Sequence, residues 1–169
     1  MDAKLIVDGV EITVGIELLG RIADNLEAHE SYQDIFHVLA KSASANIRQE
    51  IAYKDTISEE TALLLLEDKD SAVLERIVRN DVAKIVITKE ILDNILKVAN
   101  EAVLKEIANN CENYENIGQE DVVKKLLEIG NPSVTLAIAE NYSTPNKILK
   151  TLLKNSDPDI ARAAQKSLA

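Results

Sequence analysis

The side chains that could do chemistry are few and scattered. The only histidines, His29 and His37, stand near Glu27, Glu30 and Asp34, a set of residue types that can hold a metal. Two ligands on one helix face need i, i+4 spacing, and these histidines are eight apart, so both are read as surface or helix-end residues. The single cysteine, Cys111, has no second thiol for an internal disulfide and no His or Cys at metal spacing. That fits a reducing compartment and an inert, partly covered thiol. Glu59, Glu60, Glu67, Asp68 and Asp70 make one stretch acidic. A paired acid/base site would need one of these carboxylates in an apolar pocket, whereas acidic residues at helix starts complement the macrodipole, and the second reading is preferred. The five glycines, Gly9, Gly15, Gly20, Gly118 and Gly130, never cluster into a loop that could cradle phosphate. The residues therefore predict no catalytic group, no metal and no cofactor.

Charge narrows the partners. The net charge of −10 argues against nucleic acid, where Lys and Arg must face phosphates. The imbalance is uneven: residues 1 to 85 hold 17 acidic and 9 basic side chains, residues 86 to 169 hold 12 and 10. An acidic front and a locally basic end, with Lys147, Lys150, Lys154, Arg162 and Lys166, could support head-to-tail contact or steer a charged partner, but a solvated surface is the preferred reading. No apolar run approaches the roughly 20 residues of a membrane-crossing helix. Met1-Asp2-Ala3-Lys4 lacks a signal peptide's basic-then-apolar layout, so a cytoplasmic location is expected.

With 3% aromatic residues, no Trp and one Phe, Phe36, the core must be made of Leu, Ile, Val and Ala, which suits closely packed small helices. Their arrangement repeats. Five anchors, Ile47, Val73, Val103, Val134 and Ile160, lie 26, 30, 31 and 26 residues apart. Four residues past them stand Ile51, Ile77, Ile107, Ile138 and Ala164. Eight before them stand Leu39, Leu65, Ile95, Leu126 and Leu152, and eleven before them Phe36, Ala62, Leu92, Val123 and Leu149. Each unit thus reads as a first helix, a tight turn and a second helix.

The punctuation agrees. Ser31, Ser58, Thr88 and Thr144, the last followed by Pro145, are cap-type residues ahead of first helices. Ser42 to Ser44, Asp68 to Ser71, Asn131-Pro132-Ser133 and Asp157-Pro158-Asp159 supply the turns within units. Ala99-Asn100-Glu101 is the weakest turn and predicts that the two helices there partly run together. Asn80, Asn110 and Asn141 share one repeat position, seven after the anchor, and are read as left-handed C-caps, with a row binding a partner's backbone as the alternative.

The N-terminal stretch differs. Lys4 to Val7 and Val10 to Val14 flank Asp8-Gly9, the pattern of a two-residue β-hairpin. It would cover the end of the repeats or offer an edge for a homodimer. Residues 16 to 29, with Ile16, Leu19, Ile22, Ala23 and Leu26, form an amphipathic helix that is read as lying outside the repeat register.

The expected architecture is all-α, a right-handed superhelix of about five helix pairs, with units near 31–55, 56–80, 88–110, 119–141 and 144–169. Residues 1–30 add a hairpin and a capping helix, and the whole is read as one structural domain. Stretches such as Ile138-Ala139-Glu140-Asn141-Tyr142-Ser143-Thr144-Pro145 and Asp157-Pro158-Asp159-Ile160-Ala161-Arg162 resemble the leucine-rich repeat variant and the HEAT and armadillo repeats, over residues 31 to 169. The resemblance implies a binding scaffold, with a few enzymes, such as tetrapyrrole lyases and DNA glycosylases, among its relatives.

Second helices usually form the inner face of such arrays. Two after the anchors, their outward positions are Gln49, Glu75, Lys105, Leu136 and Arg162; six after, they include Tyr53, Arg79, Asn109 and Glu140. This mixture suits a groove for a protein or peptide, and a merely solvated face would carry much the same residues. Tyr53 and Leu136 are its apolar candidates. The expected protein is a non-catalytic adaptor.

Overall fold

The computed structural model describes residues 3–114 and 116–169, with the backbone alone for positions 3, 5 and 7. It is predominantly helical, and it divides into two compact units, 1–83 and 84–169.

The first unit opens with β1 (Ala3–Val7) and β2 (Val10–Val14), paired antiparallel with Val7 opposite Val10. Asp8 and Gly9 both have positive φ, 50° and 83°, as a type I′ turn requires. Helices α1 (Ile16–Asn25), α2 (Gln33–Leu39), α3 (Ala45–Ala52), α4 (Glu59–Leu66) and α5 (Ser71–Ile77) follow. Helices α1, α3 and α5 pack side by side, and α2 packs on α4. Helix α6 (Asp81–Val86) spans the point where the chain divides. It occupies residues that the sequence assigned to a connection between units.

The second unit holds α7 (Lys89–Val98), α8 (Glu101–Asn109), α9 (Gln119–Glu128), α10 (Pro132–Glu140), α11 (Asn146–Leu152) and α12 (Pro158–Ser167). Helix α10 packs between α8 and α12, while α9 and α11 pack against their own second helices, α10 and α12.

The register forms the core. All five anchors are at most 3% exposed, and Ile51, Ile77, Ile107, Ile138 and Ala164 are at 0%. Leu39, Leu65, Ile95, Leu126 and Leu152, and Phe36, Ala62, Leu92, Val123 and Leu149, are likewise buried. Each large aliphatic among them contributes roughly 1.5–3 kcal/mol, and the alanines beside them let backbones approach closely.

The caps differ in detail from the sequence reading. Ser58 and Thr88 cap α4 and α7, and Asp70, Asn131 and Asp157 cap the second helices α5, α10 and α12. Ser31 instead lies within a 3₁₀ turn, where the His29 ring accepts its backbone N–H. Thr144 is buried and donates to the Ile138 carbonyl at 2.7 Å, leaving Pro145 at the N-cap of α11. The weak turn is a real break: the Asn100 side chain accepts the Val103 N–H at 3.0 Å and separates α7 from α8.

The asparagine row is neither a set of left-handed caps nor a free partner-binding row. Among the described residues the only non-glycine with positive φ is Asp8. The Asn80 amide donates to the carbonyls of Ala52 at 3.1 Å and Lys54 at 3.0 Å, at the end of the preceding second helix. Asn141 does the same to Ala108 at 3.0 Å, and Ser167, at the same repeat position, donates to Ala139 at 2.8 Å. Lys54, also seven after its anchor, donates its ammonium to the Leu26 carbonyl at 2.7 Å. Asn110 departs from the row and donates to Glu106 of its own helix at 2.9 Å. These bonds satisfy orphan carbonyls that helix ends leave behind.

Lys54 also corrects the reading of α1. Its contacts to Asp24 and Leu26 put α1 where a preceding second helix would stand, with Leu19 in the anchor position and Ala23, 0% exposed, four residues on. Helix α1 is therefore in register.

Candidate partner-binding face

In the first unit, α1, α3 and α5 present their outward rows side by side. Between α3 and α5 lies a groove of about 370 Å³, lined by Gln49, Tyr53 and Asp55 on one side and Glu75, Arg76 and Arg79 on the other. Between α1 and α3 lies a second of about 600 Å³, lined by Glu17, Arg21, Asp24, Asn46, Gln49 and Glu50 among others. Gln49 belongs to both, so they form one trough across three second helices.

Its floor is set by the core. Ile47 and Ile51 point inward on α3, which turns Gln49 and Tyr53 outward, and Val73 and Ile77 do the same for Glu75 and Arg79 on α5. Tyr53 is 68% exposed, and the Arg76 guanidinium lies over its ring, 5.4 Å from the centroid. Such a contact holds the ring in place while leaving its other face open. Arg79 donates to the Glu75 carboxylate at 3.0 Å. The trough thus offers one aromatic plate, three guanidinium groups and carboxylates at both ends.

Four of the nine sequence-selected residues, Gln49, Tyr53, Glu75 and Arg79, come together here. The others lie on second helices of the second unit. Lys105 pairs with Glu101 one turn away at 3.1 Å, and Arg162 pairs with Asp159 at 3.0 Å. Asn109 and Glu140 are exposed, and Leu136 is half-buried rather than an open apolar anchor. Arg76, three after an anchor, falls outside the rows two and six after the anchors and is not found from them. Sequence reading also missed Glu17, Arg21 and Asp24, because α1 was left out of register; the Leu19 to Ala23 spacing, 28 residues ahead of Ile47 and Ile51, was the signal.

Other polar groups are committed to structure. Arg48 on α3 grips Asp68 with two bonds, Nε to Oδ2 at 2.6 Å and a second nitrogen to Oδ1 at 2.9 Å, and also donates to the Ser42 carbonyl at 2.9 Å. Burial pushes the Asp68 carboxyl up, but the Arg48 hydrogen bond, the Asp70 and Lys69 N–H groups and the Arg48 charge together hold it below the usual carboxylate range. The same bond raises Arg48. Cys111 is buried, which drives its thiol up to about 11 despite the Gln119 amide at 3.6 Å. Among the described residues no group of three or more His, Cys, Asp or Glu could hold a metal ion, and no helix is long and apolar enough to cross a membrane. Comparison with known proteins gives no match to any family model, curated protein or solved structure.

Proposed function

We propose that this chain is a non-catalytic helical-repeat scaffold of about five helix pairs, and that it binds an extended peptide segment of a protein partner in the α1–α3–α5 trough. The observation that carries the reading is Tyr53, a large aromatic left open on a helix surface and braced by Arg76 beside a row of charged and amide side chains. Exposed aromatics and arginines in a concave setting are the residue types that carry most binding energy at protein interfaces. Three adjacent helices present Arg21, Gln49, Tyr53, Glu75 and Arg79 one beside the next, an arrangement suited to a chain lying across them. Mixed charge favours a segment carrying both signs over a polyanion.

Random peptides displayed on phage and selected on the full chain test this. The reading expects enriched peptides whose binding weakens roughly tenfold or more in Tyr53→Ala and in Arg79→Glu. Peptides that bind both variants as tightly as the parent would remove the trough from consideration.

A further inference from the structure

The hairpin carries an edge with which no other described residue of the first unit pairs. A two-residue hairpin closes on a hydrogen-bonded pair, here Val7 and Val10, and such pairs alternate along the ladder. Val7–Val10 and Leu5–Ile12 therefore exchange their bonds inward. The N–H and C=O groups of Glu11 and Thr13 on β2, and of Lys4 and Ile6 on β1, point away from the partner strand. Among the described residues, no backbone hydrogen bond from outside the hairpin reaches Glu11 or Thr13. Ile12 is 49% exposed and Val10 62%.

The geometry points to β2 as a self-pairing edge, joining two copies of this chain into a four-stranded antiparallel sheet about a twofold axis at Ile12. The strand Val10-Glu11-Ile12-Thr13-Val14 alternates apolar and polar residues symmetrically about its centre. Antiparallel pairing on that centre sets Glu11 of each copy against Thr13 of the other. These are the residues whose backbone groups face outward, so four new hydrogen bonds form. Ile12 meets its own copy in the closer, non-hydrogen-bonded pair, and Val10 meets Val14 of the second copy.

Charge selects this register. Moving the pairing by two positions one way sets Glu11 directly against Glu11, and a one-residue slip turns the apolar residues to the wrong face. In the symmetric register each Glu11 carboxylate faces a threonine and stays with its own Lys4, whose ammonium lies 2.5 Å away. The β1 edge is different: it displays Lys4, the residue type that blunts strand edges. A second copy pairing through β2 is thus favoured over one pairing through β1, and over an unrelated strand lacking the symmetric pattern.

Light scattering of the full chain at about 0.1 mM, with Ile12→Cys and Ile12→Lys variants, tests the assignment. The expected result is a mass twice the 18.6 kDa of one chain, and a covalent dimer of Ile12→Cys on mild oxidation, because facing residues of a closer pair place their Cβ atoms within disulfide reach. Ile12→Lys, which sets two like charges against each other at an already exposed position, should raise the dimer dissociation constant at least roughly tenfold with an unchanged circular dichroism spectrum. A monomer for the parent chain at that concentration overturns the proposal. So does a dimer that Ile12→Lys leaves intact, or one that Ile12→Cys fails to cross-link.

Discussion

Arg48 and Asp68 show how much one half-buried pair can fix. Their side chains are 18% and 6% exposed, and together they tie α3, the α2–α3 turn and the α4–α5 turn. Removing one partner of such a pair leaves the other charge partly buried and unpaired, which costs about 1–3 kcal/mol. Asp68→Asn should lower the unfolding free energy by that amount at neutral pH, read as a lower denaturant midpoint. Because the folded carboxyl titrates below its unfolded value, the stabilisation is complete above the unfolded pKa and fades as pH falls through the folded one. The gap between parent and variant should therefore close on acidification below about pH 4, as urea titrations at several pH values would reveal. Cys111 gives a second residue-scale prediction. With its thiol raised to about 11 by burial, little thiolate exists at pH 8, and the native protein should resist a thiol reagent that labels one equivalent once urea unfolds it. Rapid stoichiometric labelling of the native chain would contradict this.

At the scale of elements, the position seven after the anchor links successive second helices at Lys54, Asn80, Asn141 and Ser167. Asn80 is 7% exposed and serves two carbonyls, so Asn80→Leu should cost about 2 kcal/mol through the unsatisfied Ala52 and Lys54 groups. Asn110→Ala, whose partner lies one turn back on its own helix, should cost distinctly less; thermal melts of the two variants make the comparison. Lys54 holds the last carbonyls of α1. Lys54→Met keeps the apolar stem and removes that cap, so amide exchange should accelerate in α1 while α4 and α5 stay protected. Uniform acceleration through the first unit would mean that α1 has no separate attachment.

For the whole molecule, the trough proposed to take a peptide lies in the first unit. Lys105→Glu and Arg162→Glu, on second helices of the second unit, should leave peptide affinity within about twofold, whereas Tyr53→Ala and Arg79→Glu should not. Equal losses from both sets, measured by calorimetry with one selected peptide, would show that binding extends beyond the trough. The net charge of −10 bears on solubility and encounter rate rather than fold, and raising salt should slow association more than it speeds dissociation.

What the sequence determined by itself was the period. Apolar residues at the anchor, four after, and eight and eleven before can be buried together only on paired helices, and those positions are the core. The turns at Asp68 to Ser71, Asn131-Pro132-Ser133 and Asp157-Pro158-Asp159 were legible because turn chemistry acts within three residues, and Asp8-Gly9 because two positive φ angles demand it. The tertiary structure decided what joins residues far apart in the chain. Whether Asn80 turns into its own helix or reaches back 28 residues to Ala52 depends on where the preceding helix ends in space. The bidentate grip of Arg48 on Asp68, the joining of α1 to the register through Lys54, and the bracing of Tyr53 by Arg76 are likewise set by packing. Local propensity carries no information about such contacts, because it reads neighbours along the chain and these residues are neighbours only once the helices stack.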